Sequence, residues 1–423
     1  MQLLIKSATV VDPNSPHNGK VQDVLIENGT ITDVKAKIPS AGIKKVVEAD
    51  DLHLSPGWFD MQANFCDPGW EYKEDLLSGI KAAQAGGFTG VVIVPSTNPS
   101  LHSKTQIEYI INKSAGRLVD LYPMGALSYK LEGNDLSEMY DMKLSGAIAF
   151  TDDIHPVMSA GLLHRALLYT KSFGGLIISR CNDTSLSTGL CVNEGPISVM
   201  LGLKGEPSIA EEIMVTRDLF LAEYAEAKLH VTSISTEGSI ALIRNAKKRG
   251  LPVTTSVNAY NLALEDSELL EWNTNLKVFP PLRGKNDIKA LKKGLSDGTI
   301  DVICSDHRPE DEENKKLEFD LATPGMLGLQ TMYPLVNMYS GLSQTEIISK
   351  IAINPRKVLG LPYPIIDKGQ SANITLFSPS SEWILKKENI QSLSYNSPFI
   401  NKKLKGKIVG VVNHDLYSAG QNG

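Results

Sequence analysis

Polar side chains end or directly follow several strand-like runs of this chain, and their types decide what chemistry is open to it. Two of them are carboxylates, Asp153 and Asp306, while Gln62 carries an amide and Arg180 a guanidinium. Paired carboxylates can transfer protons or hold a hard cation. A neutral amide binds zinc far more weakly than imidazole does, and a permanently charged guanidinium repels any cation. These residue types therefore favour carboxylate chemistry or a weak cation site over a zinc site.

Such side chains act together only if a scaffold brings the strand ends to one place. The middle of the chain alternates strand-like and helical runs, which predicts a (β/α)₈ barrel with the strand ends meeting at one face. A doubly wound sheet is the alternative. The strand-like runs are Trp58–Gln62, Thr89–Val94, Val119–Met124, Ala147–Thr151, Leu176–Arg180, Lys228–Ser233, Val253–Val257 and Val302–Ser305. The helical runs include Glu74–Ala85, Ala160–Lys171, Ile209–Ala225 and Thr236–Lys248.

Both ends of the chain are rich in short β-runs. Near the start, Asn28-Gly29 separates two such runs and is a strong hairpin signal. The C-terminal region returns to the same pattern in Ile374–Phe377 and Gly406–Val412. We therefore expect a small β-sandwich domain built from residues 1–55 and 355–423, with the barrel spanning residues 56–354.

Composition limits the classes of function. With 423 residues, 42% hydrophobic and 21% charged, the chain has an ordinary globular composition. Its net charge of -6 argues against a nucleic-acid or anionic-membrane surface, and no stretch approaches the roughly 20 apolar residues of a membrane helix. The first residues lack the apolar core of a signal peptide, and four scattered cysteines, Cys191 among them, form no disulfide framework. We expect a cytoplasmic protein.

A series of ordered motifs resembles the dihydroorotases, members of the cyclic-amide amidohydrolases, over almost the whole chain. The stretch from Pro56 to Gly69 is similar to the family's P-G-x-x-D-x-H-x-H-x-R-x-P-G. Further matches are Val94–Pro99 for M-P-N-T-x-P, Phe150–Asp153 for F-x-D-D, Asn193–Gly195, Ala210-Glu211, Arg217-Asp218, Pro280–Arg283, Ser305–Pro309 and Asn354-Pro355. The resemblance implies the amidohydrolase barrel, and it favours the barrel over the doubly wound sheet.

In active members of this family, four His and two carboxylates hold one or two zinc ions. The resemblance places Asp153 at the bridging carboxylate and Asp306 at the catalytic general base. The four His positions are occupied by Gln62, Asn64, Arg180 and Ser233. We therefore expect no metal and no other cofactor, and we expect Asp306 to be vestigial; zinc would be needed only if the chain were active.

The positions that face substrate in the family have changed too. Cys66 occupies the position where the family has a carboxylate-binding Arg. Ser96 and Phe279 each replace an Asn of the family, and Glu310 replaces a His. His307 belongs to the same pocket region, where it could contact a ligand, but structural hydrogen bonds are the favoured interpretation.

Two other features have ordinary interpretations. We expect Cys66 to fill space and not to act as a nucleophile, because no His lies near it in sequence to activate it. The charged run Arg308–Lys316 reads as a solvated loop, with an active-site lid as the alternative.

Two functions remain open. The first is a non-catalytic dihydroorotase homologue of pyrimidine biosynthesis, because the chain resembles zinc-ligand-deficient homologues that serve as scaffolds for aspartate transcarbamoylase. The second is an active amidohydrolase that opens dihydroorotate, a hydantoin or a ureide with a divergent metal site. The family also implies a homo-oligomer, most simply a dimer. For the vacated site, we expect Arg180 to bond one or both of Asp153 and Asp306.

Overall fold

The middle region closes into a barrel, and the terminal regions join in one sheet beside it. The computed structural model describes residues 1–187 and 192–420, so Cys191 lies outside the described residues. The strands are β1 Gln2–Val10, β2 Val21–Glu27, β3 Thr30–Lys35, β4 Val46–Val47, β5 His53–Pro56, β6 Trp58–Ala63, β7 Phe88–Ile93, β8 Asp120–Pro123, β9 Gly125–Ala126, β10 Phe150–Thr151, β11 Ile177–Arg180, β12 Leu229–Thr232, β13 Val253–Asn258, β14 Val302–Cys304, β15 Ile374–Ile384, β16 Lys403–Asn413 and β17 Leu416–Ala419.

Helices connect most of the barrel strands. They are α1 Leu76–Ala85, α2 Lys104–Ser114, α3 Met139–Leu144, α4 Ala160–Lys171, α5 Thr184–Ser187, α6 Pro196–Leu201, α7 Ile209–Ala225, α8 Glu237–Lys248, α9 Lys285–Ser296, α10 Glu312–Lys315, α11 Met332–Tyr339, α12 Gln344–Ile348 and α13 Asn354–Leu359. Short 3₁₀ turns lie at Tyr129–Leu131, Ala259–Leu262, Asp266–Glu271, Thr274–Leu276 and Lys387–Asn389, and a π-turn lies at Ser349–Ile353.

Parallel pairing joins the barrel strands in chain order. β6, β7 and β8 form one run, and β9 to β14 form a second, with β8 and β9 making the two halves of the third barrel strand. A parallel bridge between Ala63 and His307 brings the first and eighth strands together. Every residue of β6 and β7 is buried, as expected of strands covered on both faces. The predicted (β/α)₈ barrel is confirmed.

The local sequence explains the element ends. Ser159 caps α4 by accepting a hydrogen bond from the Leu162 N–H, and Thr236 caps α8 in the same way through Ser239. α4 and α7 coincide with the helical runs predicted from the sequence. No helix among the described residues is long and apolar enough to cross a membrane.

Strands from both termini share a single sheet in the order β17-β16-β15-β5-β1-β2-β3, with β4 paired to β1. The hairpin predicted at Asn28-Gly29 joins β2 and β3, and both of its residues have positive φ, 51° and 74°. A Cβ on Gly29 would lie 2.5 Å from the His414 carbonyl oxygen, so this turn requires glycine. Both termini thus contribute to one β domain, while the division at residues 55/56 and 354/355 stays a prediction.

Candidate functional site

Asp306 lies at the mouth of the barrel, two residues beyond β14, and it is buried. Five side-chain donors surround its carboxylate. Gln62 Nε2 (2.7 Å), Arg308 Nε (2.9 Å) and Arg180 Nη2 (3.0 Å) donate to Oδ1, and Tyr260 Oη (2.7 Å) and Asn258 Nδ2 (3.2 Å) donate to Oδ2. A carboxylate has about four lone-pair sites, so these donors saturate it.

Asp153 lies beside the same mouth, two residues beyond β10, and it is also buried. Arg308 grips it with both terminal nitrogens: Nη1 lies 2.9 Å from Oδ2, and Nη2 contacts Oδ1. Ser96 Oγ donates a further hydrogen bond to Oδ2 at 2.7 Å. Because the Nε of the same guanidinium bonds Asp306, Arg308 bridges the two carboxylates.

Arg180 ends β11 and reaches into the same cluster. Its Nη2 donates to Asp306 Oδ1 and to Ser233 Oγ, each at 3.0 Å, and its Nη1 donates to the Phe279 carbonyl at 2.9 Å. The predicted contact between Arg180 and Asp306 is confirmed, whereas the carboxylate of Asp153 is bonded by Arg308 instead. We call Asp153, Asp306, Arg180 and Arg308 the mouth network. Its two carboxylates and two guanidinium groups balance in charge.

The remaining positions that the resemblance matches to the family's metal ligands, where no metal was expected, are used in hydrogen bonds within the protein. Gln62 accepts from Thr232 Oγ1 at 2.5 Å while it donates to Asp306. Ser233 Oγ donates to Asn258 Oδ1 at 3.0 Å. Asn64 bonds the Ser96 carbonyl through Nδ2 (3.1 Å), and its Oδ1 accepts from the Cys66 N–H (2.8 Å). These side chains hold the loops of the mouth.

Three residues at the mouth of the barrel share an uncommon backbone conformation. Asp153, Ser233 and Asp306 have φ of 52°, 56° and 45°, in the left-handed region that non-glycine residues rarely adopt. Each follows a barrel strand, so the same turn aims each side chain across the mouth. Left-handed non-glycine residues cost about 1–3 kcal/mol each and persist where surrounding contacts hold them.

The charges of the mouth network keep both carboxylates ionised. Burial alone would raise the pKa of Asp153, but the Arg308 guanidinium outweighs it and lowers this pKa to about 2. Burial acts on Asp306 in the same direction, and Arg180 and then Arg308 lower its pKa below the ordinary value. Burial also raises the pKa of the Tyr260 hydroxyl, reinforced by the charge of Asp306, so Tyr260 stays a neutral donor.

The donor set does not fit zinc. Zinc sites are built from thiolate, imidazole and carboxylate ligands, whereas here two amides, one hydroxyl and a guanidinium accompany the two carboxylates. The carboxylate oxygens already accept hydrogen bonds from the two guanidinium groups. Across residues 1–187 and 192–420, no three His, Cys, Asp or Glu side chains form a group that could hold a metal ion.

A cavity of about 870 Å³ opens at the mouth of the barrel. Four residues predicted to face substrate line it, together with Arg308: these are Cys66, Ser96, Phe279 and Glu310. Glu310 is paired there with Lys73, whose Nζ lies 2.7 Å from Oε2. Asp153 and Asp306 are not among the lining residues, so Arg308 stands between the cavity and both carboxylates.

The fifth of those residues, His307, is placed differently. Its Nδ1 accepts hydrogen bonds from the Gly328 N–H (3.2 Å) and the Leu329 N–H (3.5 Å), and its Nε2 lies 3.4 Å from Glu74 Oε2. It is buried and does not line the cavity. The contacts of His307 agree with the favoured structural interpretation, and its assignment as a pocket position stays a prediction.

The loop Arg308–Lys316 also differs from its favoured interpretation as a solvated segment. Arg308 is buried in the mouth network, and Lys315 is buried with its Nζ bonded to the carbonyl oxygens of Thr323 (2.9 Å) and Gly325 (3.1 Å). Arg308 and Lys315 therefore anchor the charged run. Its exposed charges are Glu312, Glu313 and Lys316.

Sequence reasoning missed Arg308, Tyr260 and Asn258 as members of the site. The available signal was position: Arg308 follows Asp306 by two residues, and the other two residues end or follow β13. Cys66 was placed correctly beside the mouth, and burial raises the pKa of its thiol, so it is a poor nucleophile.

Comparisons with known proteins agree with this architecture. Residues 52–239 match the family described as Dihydro-orotase-like, and residues 210–414 match the amidohydrolase family. The chain is 41% identical over 411 residues to a dihydroorotase of Acetivibrio thermocellus, covering 96% of each chain. It is 40% identical over 414 residues to a dihydroorotase of Syntrophus aciditrophicus, covering 97% of each.

The chain belongs to the dihydroorotase family. Solved structures extend the likeness of this dihydroorotase-family chain to the hydantoinases at the level of fold. The L-hydantoinase of Arthrobacter aurescens matches with a TM-score of 0.85 at 20% identity, over 100% of this chain and 96% of that one. A D-hydantoinase matches with a TM-score of 0.83 at 21% identity, over 99% and 95%. This dihydroorotase-family barrel carries a charge-balanced cluster of side chains at its mouth.

Proposed function

We propose that this dihydroorotase-family chain is a non-catalytic member of the family, acting in the cytoplasm as a structural or regulatory partner of aspartate transcarbamoylase in pyrimidine biosynthesis. The observation that carries the proposal is the mouth network. Arg308 and Arg180 supply the positive charge that a metal would otherwise supply to Asp153 and Asp306. A barrel that neutralises its own carboxylates in this way can be stable without a metal.

The saturation of Asp306 also opposes catalysis. A general base needs a free lone pair within reach of the proton it takes, but five donors already occupy the oxygens of Asp306. Arg180 and Arg308 lower its pKa, which makes it a weaker base still. An active hydrolase of cyclic amides would have to break several of these bonds before its first proton transfer.

The partner role rests on the resemblance to zinc-ligand-deficient homologues that act as scaffolds for aspartate transcarbamoylase. A protein that keeps a folded barrel and a terminal sheet but lacks catalytic groups retains its surfaces. Binding is then the function left for it to perform.

Metal analysis and an activity assay test the loss of catalysis. The protein, purified after growth with added zinc, is expected to hold well under one zinc per chain and to show no hydrolysis of dihydroorotate. The dihydroorotase of Acetivibrio thermocellus serves as the positive control in both measurements. Stoichiometric zinc, or turnover that disappears in Asp306→Ala, would refute the proposal.

A binding measurement tests the partner role separately. Purified aspartate transcarbamoylase from the same organism is titrated with this protein in sedimentation-velocity experiments, and a complex heavier than either component is expected. The Acetivibrio dihydroorotase, which shares the fold at 41% identity, is the matched control for nonspecific association. Absence of a complex at micromolar concentrations would contradict the partner role and leave the loss of catalysis standing.

A further inference from the structure

Two loops at the mouth face of the barrel expose large apolar side chains. Trp272 is 51% exposed, Leu270 45%, Leu317 44% and Leu321 63%, and we call these four residues the Trp272 patch. The first two belong to the loop after β13, and the last two belong to the loop after β14. All four tryptophans of the chain lie in the described residues, and Trp272 is the one whose side chain is exposed.

Contacts between the two loops hold the Trp272 patch together. The rings of Trp272 and Phe319 meet edge to face, with their centroids 6.3 Å apart. Leu317 and Leu321 lie two residues on either side of Phe319. Lys277 Nζ, from the first loop, donates to the Phe319 carbonyl at 2.8 Å and so fixes the backbone of the second. Because these contacts exist in the free chain, little order has to be gained when a partner binds.

The backbone at Trp272 gives the fold no reason to place a tryptophan there. Trp272 has a φ of 56°, in the left-handed region, and its N–H closes the 3₁₀ turn Asp266–Glu271 by donating to the Leu269 carbonyl at 2.9 Å. Bulky side chains rarely adopt this conformation, whereas glycine and asparagine adopt it readily. An exposed ring held in a strained backbone points to a contact made outside the chain.

Carboxylates alternate with the residues of the Trp272 patch along both loops. The exposed acidic residues of segments 266–276 and 311–322, which we call the acidic rim, are Glu268, Glu271, Glu312, Glu313, Glu318 and Asp320. The one exposed cation in these two segments, Lys316, pairs with Glu312 at 2.7 Å. Within the part of the chain that the structure describes, Glu271, Glu313 and Glu318 form no ion pair. The acidic rim therefore carries negative charge that the chain itself does not balance.

The charge of the acidic rim decides what can cover the patch. A second copy packed on it by two-fold symmetry would bring two acidic rims together, and nucleic acid or an anionic membrane surface would be repelled. A protein surface with lysine and arginine around an apolar side chain would pair with the rim and bury the Trp272 ring. Tryptophan and arginine are frequent among the residues that dominate the binding energy of protein pairs.

We infer that the Trp272 patch is a docking surface for a partner protein that presents an apolar side chain ringed by lysine and arginine. The inference rests on the proposed partner role and assigns the contact to one place on the molecule. The partner's apolar side chain packs on the Trp272 ring, and its basic residues pair with Glu271 and Glu318. An apolar centre with a polar rim is the usual anatomy of a protein interface.

Sedimentation-velocity titration of purified aspartate transcarbamoylase from the same organism tests the aromatic anchor. Trp272→Asn should raise the dissociation constant at least about thirtyfold. Because asparagine tolerates the left-handed conformation, the urea midpoint of unfolding should not fall. Tyr140→Asn is the matched control and should leave the affinity unchanged. The Tyr140 ring is 45% exposed with its centroid 5.5 Å from that of Phe173, but it belongs to α3, on the opposite side of the barrel.

Charge reversal in the same titration tests the acidic rim. Glu271→Lys/Glu318→Lys should weaken binding at least about tenfold and reduce its dependence on salt between about 0.05 M and about 0.3 M NaCl. Glu48→Lys/Glu108→Lys changes the net charge equally at exposed residues outside both loops and should leave the affinity unchanged. An affinity that is unaffected by Trp272→Asn or by the rim reversal would overturn the inference and leave the partner role standing. If the wild-type protein forms no complex, the partner role is wrong and this inference is wrong with it.

Discussion

Arg308→Met should lower the free energy of unfolding by more than the replacement of a solvent-exposed arginine would. Arg308 holds Asp153 through both terminal nitrogens and Asp306 through Nε, and all three residues are buried. In Arg308→Met, Asp153 would retain only Ser96 Oγ as a hydrogen-bond donor. Removing one partner of a buried ion pair typically costs about 3–5 kcal/mol, and that is the expected loss of unfolding free energy at pH 7.

The loss should depend on pH in a defined direction. The pKa of Asp153 in the folded wild type is lowered to about 2 from an ordinary 3.8, so its ionised form stabilises the fold above pH 4. That stability, about 2 kcal/mol, is lost as pH falls through 2. In Arg308→Met the unpaired carboxylate takes up a proton at higher pH. The difference between variant and wild type should therefore shrink as pH falls from 7 towards 4.

The assay is urea unfolding followed by both tryptophan fluorescence and far-ultraviolet circular dichroism, accepted only where the two transitions coincide. Arg308→Met/Asp153→Asn completes the double-mutant cycle. Because the second change removes the unpaired charge, it should recover at least about 2 kcal/mol relative to additivity. A loss below about 1 kcal/mol in Arg308→Met, or additive effects in the cycle, would refute the account of the mouth network.

Three further predictions concern single residues. Arg180→Ala should cost about 3–5 kcal/mol of unfolding free energy, because it removes one of the two guanidinium groups paired with Asp306 and leaves the buried network with an excess negative charge. Arg180→His should not bring bound zinc to one per chain in elemental analysis, since two amides and Ser233 remain; restored zinc would contradict this. Burial lowers the pKa of His230 to about 3 from 6.5, so the wild-type protein should lose unfolding free energy as pH falls from 6.5 towards 3. If the unfolding free energy of His230→Gln depends on pH as steeply as that of the wild type, this prediction is wrong. Burial raises the pKa of the Cys66 thiol, so Cys66 should resist iodoacetamide at pH 7 until urea unfolds the protein. Mass spectrometry locates the label, and rapid labelling of Cys66 in the native protein would disprove this.

Sequence predicted the barrel well because the strand and helix periods are local properties of the chain. Buried parallel strands read as short apolar runs, and capped helices such as α4 begin and end at recognisable residues. The strand ends and the resemblance to the family together place Arg180 and Asp306 at the mouth, so their contact could be predicted from the sequence.

The partner of Asp153 could not be predicted in the same way. Arg308 begins a run rich in charged residues, and such a run on a sequence reads as a solvated loop. A long side chain turns inward when carboxylates lie within its reach. Which carboxylates lie within reach is decided only when the barrel has closed. His307 shows the converse, because its direction is set by Glu74 and by two backbone N–H groups far from it in sequence.

The mouth network also restricts how this chain could acquire a metal by successive substitutions. Replacing Arg308 first leaves Asp153 without an ionic partner, and replacing Arg180 or Asp153 first leaves the buried mouth network with an unbalanced charge. Introducing imidazole at Gln62 or Ser233 first removes hydrogen bonds that reach Asp306 and Arg180. Every single step therefore passes through a less stable protein before any metal can compensate. The present site is a local optimum, separated from a metal-binding one by several simultaneous changes.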